Sequence, residues 1–185
     1  MAFALWLIIG IVAFIVLIFV YYFNRFVALG NRIDNSLSQI DVQLRKRADL
    51  VPNLINTVKG YAKHEKKIMT EVTNARKALL SAQTLPERMR AGSQLQNALK
   101  SIFAIAENYP QLRANENFLH LQQELAAIED KIAYSRQYYN DAILSFNDSV
   151  TTFPGTFFAG LFNKKKKEFL QIPAEARAVP KVEFE

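Results

Sequence analysis

The first 23 residues carry no charged side chain, and this limits what the rest of the chain can become. Between Met1 and Phe23 the polar groups are the two tyrosines Tyr21 and Tyr22. As an unbroken helix the stretch is about 33 Å long, enough to cross a hydrocarbon core of about 30 Å. A cleavable signal peptide is the competing reading. Against it, no Lys or Arg precedes the apolar run, the run is too long, and no A-x-A site follows it. Trp6 near one end and Tyr21, Tyr22 and Phe23 at the other fall where an aromatic belt would sit. Residues 1–23 are therefore expected to be a single transmembrane anchor.

The flanks orient it. Nothing basic precedes the span except the terminal amine, whereas Arg25, Arg32, Arg45, Lys46 and Arg47 follow it. The positive-inside rule then places the body of the chain in the cytoplasm and the N-terminus outside. All 23 basic and 17 acidic side chains belong to that body, for a net charge of +6. Such an excess suits an anionic membrane surface better than nucleic acid, because the aromatic-interleaved basic stripe of a stacking surface is missing. The absence of cysteine excludes disulfides, Fe–S clusters and thiol catalysis.

After the anchor, apolar residues recur in steps of three and four: Ile33, Leu37, Ile40, Leu44, then Val51, Leu54 and Val58. That is the stripe of an amphipathic helix. Pro52 stands inside it, where proline removes a backbone donor and costs about 3 kcal/mol. The phase of the stripe is the same on both sides, which predicts a helix running through Pro52, with the carbonyl freed at Ala48 turned to water. The other reading is a break, with Asp49 capping a new helix and Pro52 in its first turn. Gly60 should end the helix.

A second stripe, Ile68, Val72, Ala75 and Leu79, runs to about Ala82. Thr84-x-x-Glu87 has the form of a capping box and opens a third, with Met89, Leu95, Leu99, Ile102 and Ala106, closed by Tyr109-Pro110. The fourth is the longest: Phe118, Leu121, Leu125, Ile128, Ile132, Tyr139, Phe146 and Val150. Four amphipathic segments on short connections predict an all-α chain in which the anchor leads into an antiparallel, up-and-down four-helix bundle over residues 24–152. Residues 153–185 differ in composition. They pack Phe153, Phe157, Phe158, Leu161 and Phe162 around a Pro-Gly turn, follow them with Lys164, Lys165, Lys166 and Lys167, and close with a proline-punctuated tail expected to be extended. The aromatic and basic residues are expected either to lie on the membrane surface against anionic lipid or to cap the open end of the bundle.

Reactive chemistry is hard to place. Glu116, His120 and Glu124 share a helix face by their spacing and, with Glu107, are the best metal or catalytic candidates, but a di-iron bundle needs paired Glu-x-x-His motifs and further carboxylates. A solvated or capped polar face is the expected reading of them. Acidic residues beside the stripes, among them Asp34, Asp41, Asp49, Glu129 and Asp130, suggest either interhelical ion pairs with Arg45, Arg47, Arg113 and Arg136 or a polar site. A glycine-rich phosphate loop, a serine elbow and H-E-x-x-H are all missing, so neither an enzyme nor a cofactor is expected.

"RADLVPNL" (Arg47 to Leu54), "VKGYAKHE" (Val58 to Glu65), "AENYPQLRANENFLHLQQEL" (Ala106 to Leu125), "IEDKIAYSRQYYNDAILSFN" (Ile128 to Asn147) and "FPGTFFAGLF" (Phe153 to Phe162) together resemble the LemA family. The resemblance extends over nearly the whole chain. It implies an inner-membrane protein with a short outside N-terminus, one anchor and a cytoplasmic helical bundle, and it implies no catalytic residue. What carries over by position is that Asp49, Val51, Pro52, Asn53 and Leu54 match the family's central motif, and Glu107, Tyr109, Pro110 and Leu112 its second. The expected function is a membrane-anchored scaffold or interaction protein that forms a homo-oligomer. Its protein partner is left unidentified.

Overall fold

The computed structural model describes residues 1–170; the expected extended tail lies outside the described residues. Among these residues six helices follow in order: α1 Ala2–Tyr61, α2 Lys66–Ser81, α3 Leu85–Ala106, α4 Pro110–Arg113, α5 Glu116–Thr151 and α6 Gly155–Leu161. There is no strand among the described residues. The all-helical class therefore stands, with its elements divided differently from the four stripes. The apolar stretch and the first stripe are one 60-residue helix, because nothing between Phe23 and Ile33 breaks it. Two short helices, α4 and α6, have no stripe to announce them.

Pro52 lies inside α1, so the helix continues through it. The side chain is exposed while Val51 and Leu54 on either side are fully buried, which keeps the ring out of the core. The helix ends at Tyr61, one residue past Gly60. The Thr84–Glu87 capping box forms as the spacing requires, the Glu87 N–H donating to Thr84 Oγ1 at 3.4 Å and the Thr84 N–H to Glu87 Oε2 at 3.1 Å. α3 ends at Ala106, ahead of Tyr109-Pro110, and Pro110 opens α4: proline's fixed φ and missing N–H suit its first turn.

The chain divides into two compact units, one of residues 38–135 and one of residues 1–37 with the chain from Arg136 on. The first is built on the stripes. Ile40, Leu44, Val51, Leu54 and Val58 of α1 are buried, as are Val72 and Leu79 of α2, Leu95, Leu99 and Ile102 of α3, and Phe118, Leu121, Leu125, Ile128 and Ile132 of α5. Each such side chain contributes at most about 1.5–3 kcal/mol of transfer free energy. In the second unit Phe26 and Ile33 are buried, as are Ala142, Ile143, Phe146 and Val150 of α5 and Ala159 of α6. The side chains of residues 2–17 are exposed along the whole run, in a helix long and apolar enough to cross a membrane.

Candidate functional site

Within the unit of residues 38–135, the LVPNL stretch is held by its backbone. Pro52 has no N–H for the Ala48 carbonyl, and Ala48 is fully buried, so water is not the partner the sequence suggested. The guanidinium of Arg76 on α2 takes that place, its Nε donating to the Ala48 oxygen at 2.7 Å. A proline that would leave a buried acceptor orphaned is thus tied to one arginine on the neighbouring helix. One residue earlier, Arg47 is buried to 2% exposure; it pairs with Glu129 of α5 and lies 3.4 Å from the Gly92 carbonyl of α3. Arg88 of α3 pairs with Asp41 of α1, while the expected partner Arg45 makes an exposed 3.6 Å contact with Asp49 one turn on. Asp49 and Asn53 are exposed.

The other motif residues meet at a different place in the same unit. Tyr109 donates from its hydroxyl to Glu65 Oε1 at 3.3 Å, and Asn115 donates from Nδ2 to the Tyr61 hydroxyl at 3.0 Å. Desolvation, followed by the Glu65 charge, raises the Tyr109 phenol above its ordinary pKa, so it remains a donor at neutral pH. Asn115 also caps α5, its Oδ1 accepting the Phe118 N–H at 3.0 Å, and Leu112 of α4 is fully buried. The stretches around "GYAKHE" and "NYPQLRAN" are therefore stitched together side chain to side chain. Glu107 and Pro110 are exposed.

The proposed donor set does not converge. Glu116, His120 and Glu124 are exposed, with His120 Nδ1 3.9 Å from Glu124 Oε1. Among the described residues no three His, Cys, Asp or Glu side chains gather where an ion could be held.

In the unit containing the chain ends, α6 docks on α1 through aromatic rings. Phe158 stacks on Tyr22 with centroids 4.8 Å apart, and Phe162 meets Phe19, Phe23 and Phe26 edge-on at 5.1, 5.5 and 6.2 Å. Gly155 lets α6 begin tight against the last turns of α5, since a Cβ there would stand 2.1 Å from the Ser149 carbonyl oxygen and 3.3 Å from the Tyr22 ring of α1. Phe153, Phe157 and Leu161 point away and are 87%, 67% and 60% exposed. The helix closes in a Schellman turn: Lys164 N–H donates to the Ala159 carbonyl at 2.8 Å, Asn163 N–H to that of Gly160 at 3.2 Å, and Asn163 adopts φ 51°, which asparagine tolerates.

Beyond that turn the chain runs back along α5 as a strap. Asn147 accepts the Lys167 N–H at 2.8 Å and donates to the Lys167 carbonyl at 2.9 Å; Asn140 does the same for Leu170 at 2.9 and 3.3 Å. The ammonium of Lys167 sits 5.5 Å from the Phe146 ring centre, while Lys164, Lys165 and Lys166 are exposed. Nearby, Arg25 donates to Ser149 Oγ at 3.0 Å and to the Tyr21 hydroxyl at 3.1 Å. Sequence reasoning passed over Arg76, Arg88, Asn140 and Asn147. The asparagines alone left a trace, a heptad apart and each next to a stripe aromatic.

With both motif stretches so placed, the comparisons decide the family. The LemA family model matches residues 36–184. The chain belongs to the LemA family. Among curated proteins this LemA-family chain is similar to magnetosome protein MamQ 2 of Paramagnetospirillum magneticum, at 24% identity over 89% of this chain and 70% of the relative. It is also similar to magnetosome protein MamQ of Magnetospirillum gryphiswaldense, at 23% over 88% and 69%. Protein LemA of Metamycoplasma hominis is 26% identical over 77% of this chain and 68% of its own length. The apolar N-terminal residues lie ahead of the family match, and the Pro52 stretch, the Tyr109 stretch and α6 lie inside it.

Proposed function

We propose that this LemA-family protein is a non-catalytic scaffold tethered to the bacterial inner membrane, with its N-terminus outside and its helical body in the cytoplasm. The observation that carries the reading is α1 itself, one helix that holds both an uncovered apolar span and a fully buried stripe. A span whose side chains are exposed from residue 2 to residue 17 has no protein core to cover it there, and lipid is the solvent that suits it. Arg25 and Arg32 follow the span, which supports the orientation. Within residues 38–135 the stretches of α1, α2, α3 and α5 form an up-and-down four-helix bundle, whose polar side chains serve capping and pairing.

Self-association is the simplest use of such a body, because tethering raises the effective concentration of one copy against the next. The exposed apolar residues Val42 and Leu80 border a groove with Arg45 and Lys46 and are where a second copy would seat. A photo-crosslinker at Val42 or Leu80 of the full chain in native membranes should give a species of twice the chain mass. Monomer alone at both positions removes self-association, and recovery of the chain in the soluble fraction removes the tether.

A further inference from the structure

We propose that α6 is a second membrane-contacting element, lying in the lipid interface beside the last turns of the span, with Phe153, Phe157 and Leu161 in the acyl boundary and Lys164, Lys165 and Lys166 on anionic headgroups. The inference rests on the reading that the apolar part of α1 crosses the membrane, and adds to it a place and a ligand.

Depth comes from the ring contacts. Phe19 belongs to the uncharged stretch and Tyr22 to its aromatic end, and α6 touches both through Phe162 and Phe158. Side chains in contact with Phe19 share its level along α1, so α6 lies where the span meets the headgroups. Its opposite side is then turned to lipid. Phe157 and Leu161 are four residues apart, one helical turn, and stand 67% and 60% exposed there, with Phe153 at 87%. Facing water, they would form an uncovered aromatic patch continuous with the uncovered span; facing lipid, one apolar surface passes from α1 to α6.

The charge comes next in the chain, where a headgroup binder needs it. The Schellman turn at Asn163 reverses direction directly after Phe162, and Asn147 and Asn140 fix the backbone at Lys167 and Leu170. Lys164, Lys165 and Lys166 are therefore held between two anchored points, within a few residues of the rings on α1. Among the described residues no ion pair joins any of the three to an acidic side chain, and positive charge beside an apolar interfacial face is the complement of an anionic bilayer.

The chain has no cysteine, so single cysteines can be placed and spin-labelled without background. The full chain, reconstituted in vesicles of phosphatidylcholine and phosphatidylglycerol, is labelled at Leu161→Cys, Phe157→Cys or Lys165→Cys, with Val12→Cys on the span and Ala126→Cys on the exposed side of α5 as references. Collisions with oxygen report lipid and collisions with a water-soluble nickel complex report solvent. Leu161→Cys and Phe157→Cys should lose nickel collisions and gain oxygen collisions as Val12→Cys does, Lys165→Cys should keep its nickel collisions, and Lys164, Lys165 and Lys166 changed together to Gln should return Leu161→Cys toward solvent. Labels at 157 and 161 that match Ala126→Cys overturn the inference and leave the anchor standing. Shielding of both labels from both reagents overturns it in favour of a protein contact. A solvent-exposed Val12→Cys overturns the anchor and the inference together.

Discussion

Removing the Arg76 guanidinium should destabilise the protein only while Pro52 is present. Arg76→Met keeps the unbranched stem and deletes the donor, leaving the buried Ala48 carbonyl without a partner. A charged donor to a buried carbonyl contributes about 1.5–3 kcal/mol. Arg76 is itself half-buried, so the lower part of that range, about 2 kcal/mol, applies. Pro52→Ala then restores an N–H four residues after Ala48. In that background the helix satisfies its own carbonyl, and Arg76→Met should cost well under 1 kcal/mol, leaving a coupling of roughly 1.5 kcal/mol between two positions that share only this oxygen.

Thermal unfolding of the full chain in mild detergent, followed by circular dichroism, reads the cycle. At roughly 2–4 °C per kcal/mol for a chain of this size, Arg76→Met should lower the midpoint by about 4–8 °C, and by no more than about 2 °C when Pro52→Ala is also present. Pro52→Ala alone should be neutral or stabilising. Its gain falls short of the full proline penalty of about 3 kcal/mol, because Arg76 already supplies the missing bond. Equal losses on both backgrounds would refute the reasoning: Arg76 would then act through something other than the carbonyl freed by the proline.

The strap depends on two side chains, so Asn140→Ala and Asn147→Ala should each remove two backbone hydrogen bonds, worth about 2 kcal/mol of local stability, and speed tryptic cleavage at Lys164 to Lys167 at least about tenfold, with the global melting midpoint unchanged. In the Arg47–Glu129 pair the burial is lopsided, 2% against 33% exposure, so Glu129→Leu, which takes the carboxylate away from a buried cation, should cost about 3 kcal/mol and exceed Arg47→Met, after which Glu129 can turn to water; equal losses in chemical denaturation would contradict this. Glu87 accepts the Thr84 and Gln83 N–H groups, and these bonds hold its carboxyl below the usual value of 4.5. A depressed folded pKa adds stability that is complete above the unfolded value and is lost as pH falls through the folded one, so acidification below about 4.5 should lower the midpoint of the parent more than that of Glu87→Gln.

What could be read from the sequence was whatever repeats locally. The stripes through Ile40 to Val58 and Phe118 to Val150 mark buried faces because a helix returns each face every 3.6 residues, and the capping box at Thr84 is complete within four residues. Continuity through Pro52 followed from the unchanged phase. The partner of the Ala48 carbonyl did not, since Arg76 stands 28 positions away and nothing near it marks a donor aimed at another helix. For the same reason the interhelical pairing expected of Asp41 could be read only as far as Arg45, Arg47, Arg113 and Arg136, and its actual partner is Arg88 on α3. Tyr109-Pro110 was read as closing the third stripe, which ends at Ala106, and hid the start of α4, because a proline just past a helix end and one in a first turn look alike in the sequence.

The strap on α5 shows why an extended segment escapes periodicity yet is fixed all the same. Asn140 and Asn147 are seven residues apart, and on a helix that is about 10.5 Å along the axis. Lys167 and Leu170 are three residues apart, and extended chain covers about 10 Å in that span. The two lengths agree, so each amide meets the N–H and C=O of one strap residue without stretching either element, and the chain runs antiparallel to the helix because the lower-numbered strap residue meets the higher-numbered asparagine. Both contacts go to backbone and leave the lysine side chains free to vary. A one-residue deletion between Lys167 and Leu170 would break this match of lengths and should release the strap to trypsin as fully as Asn140→Ala; cleavage no faster than in the parent chain would refute the match.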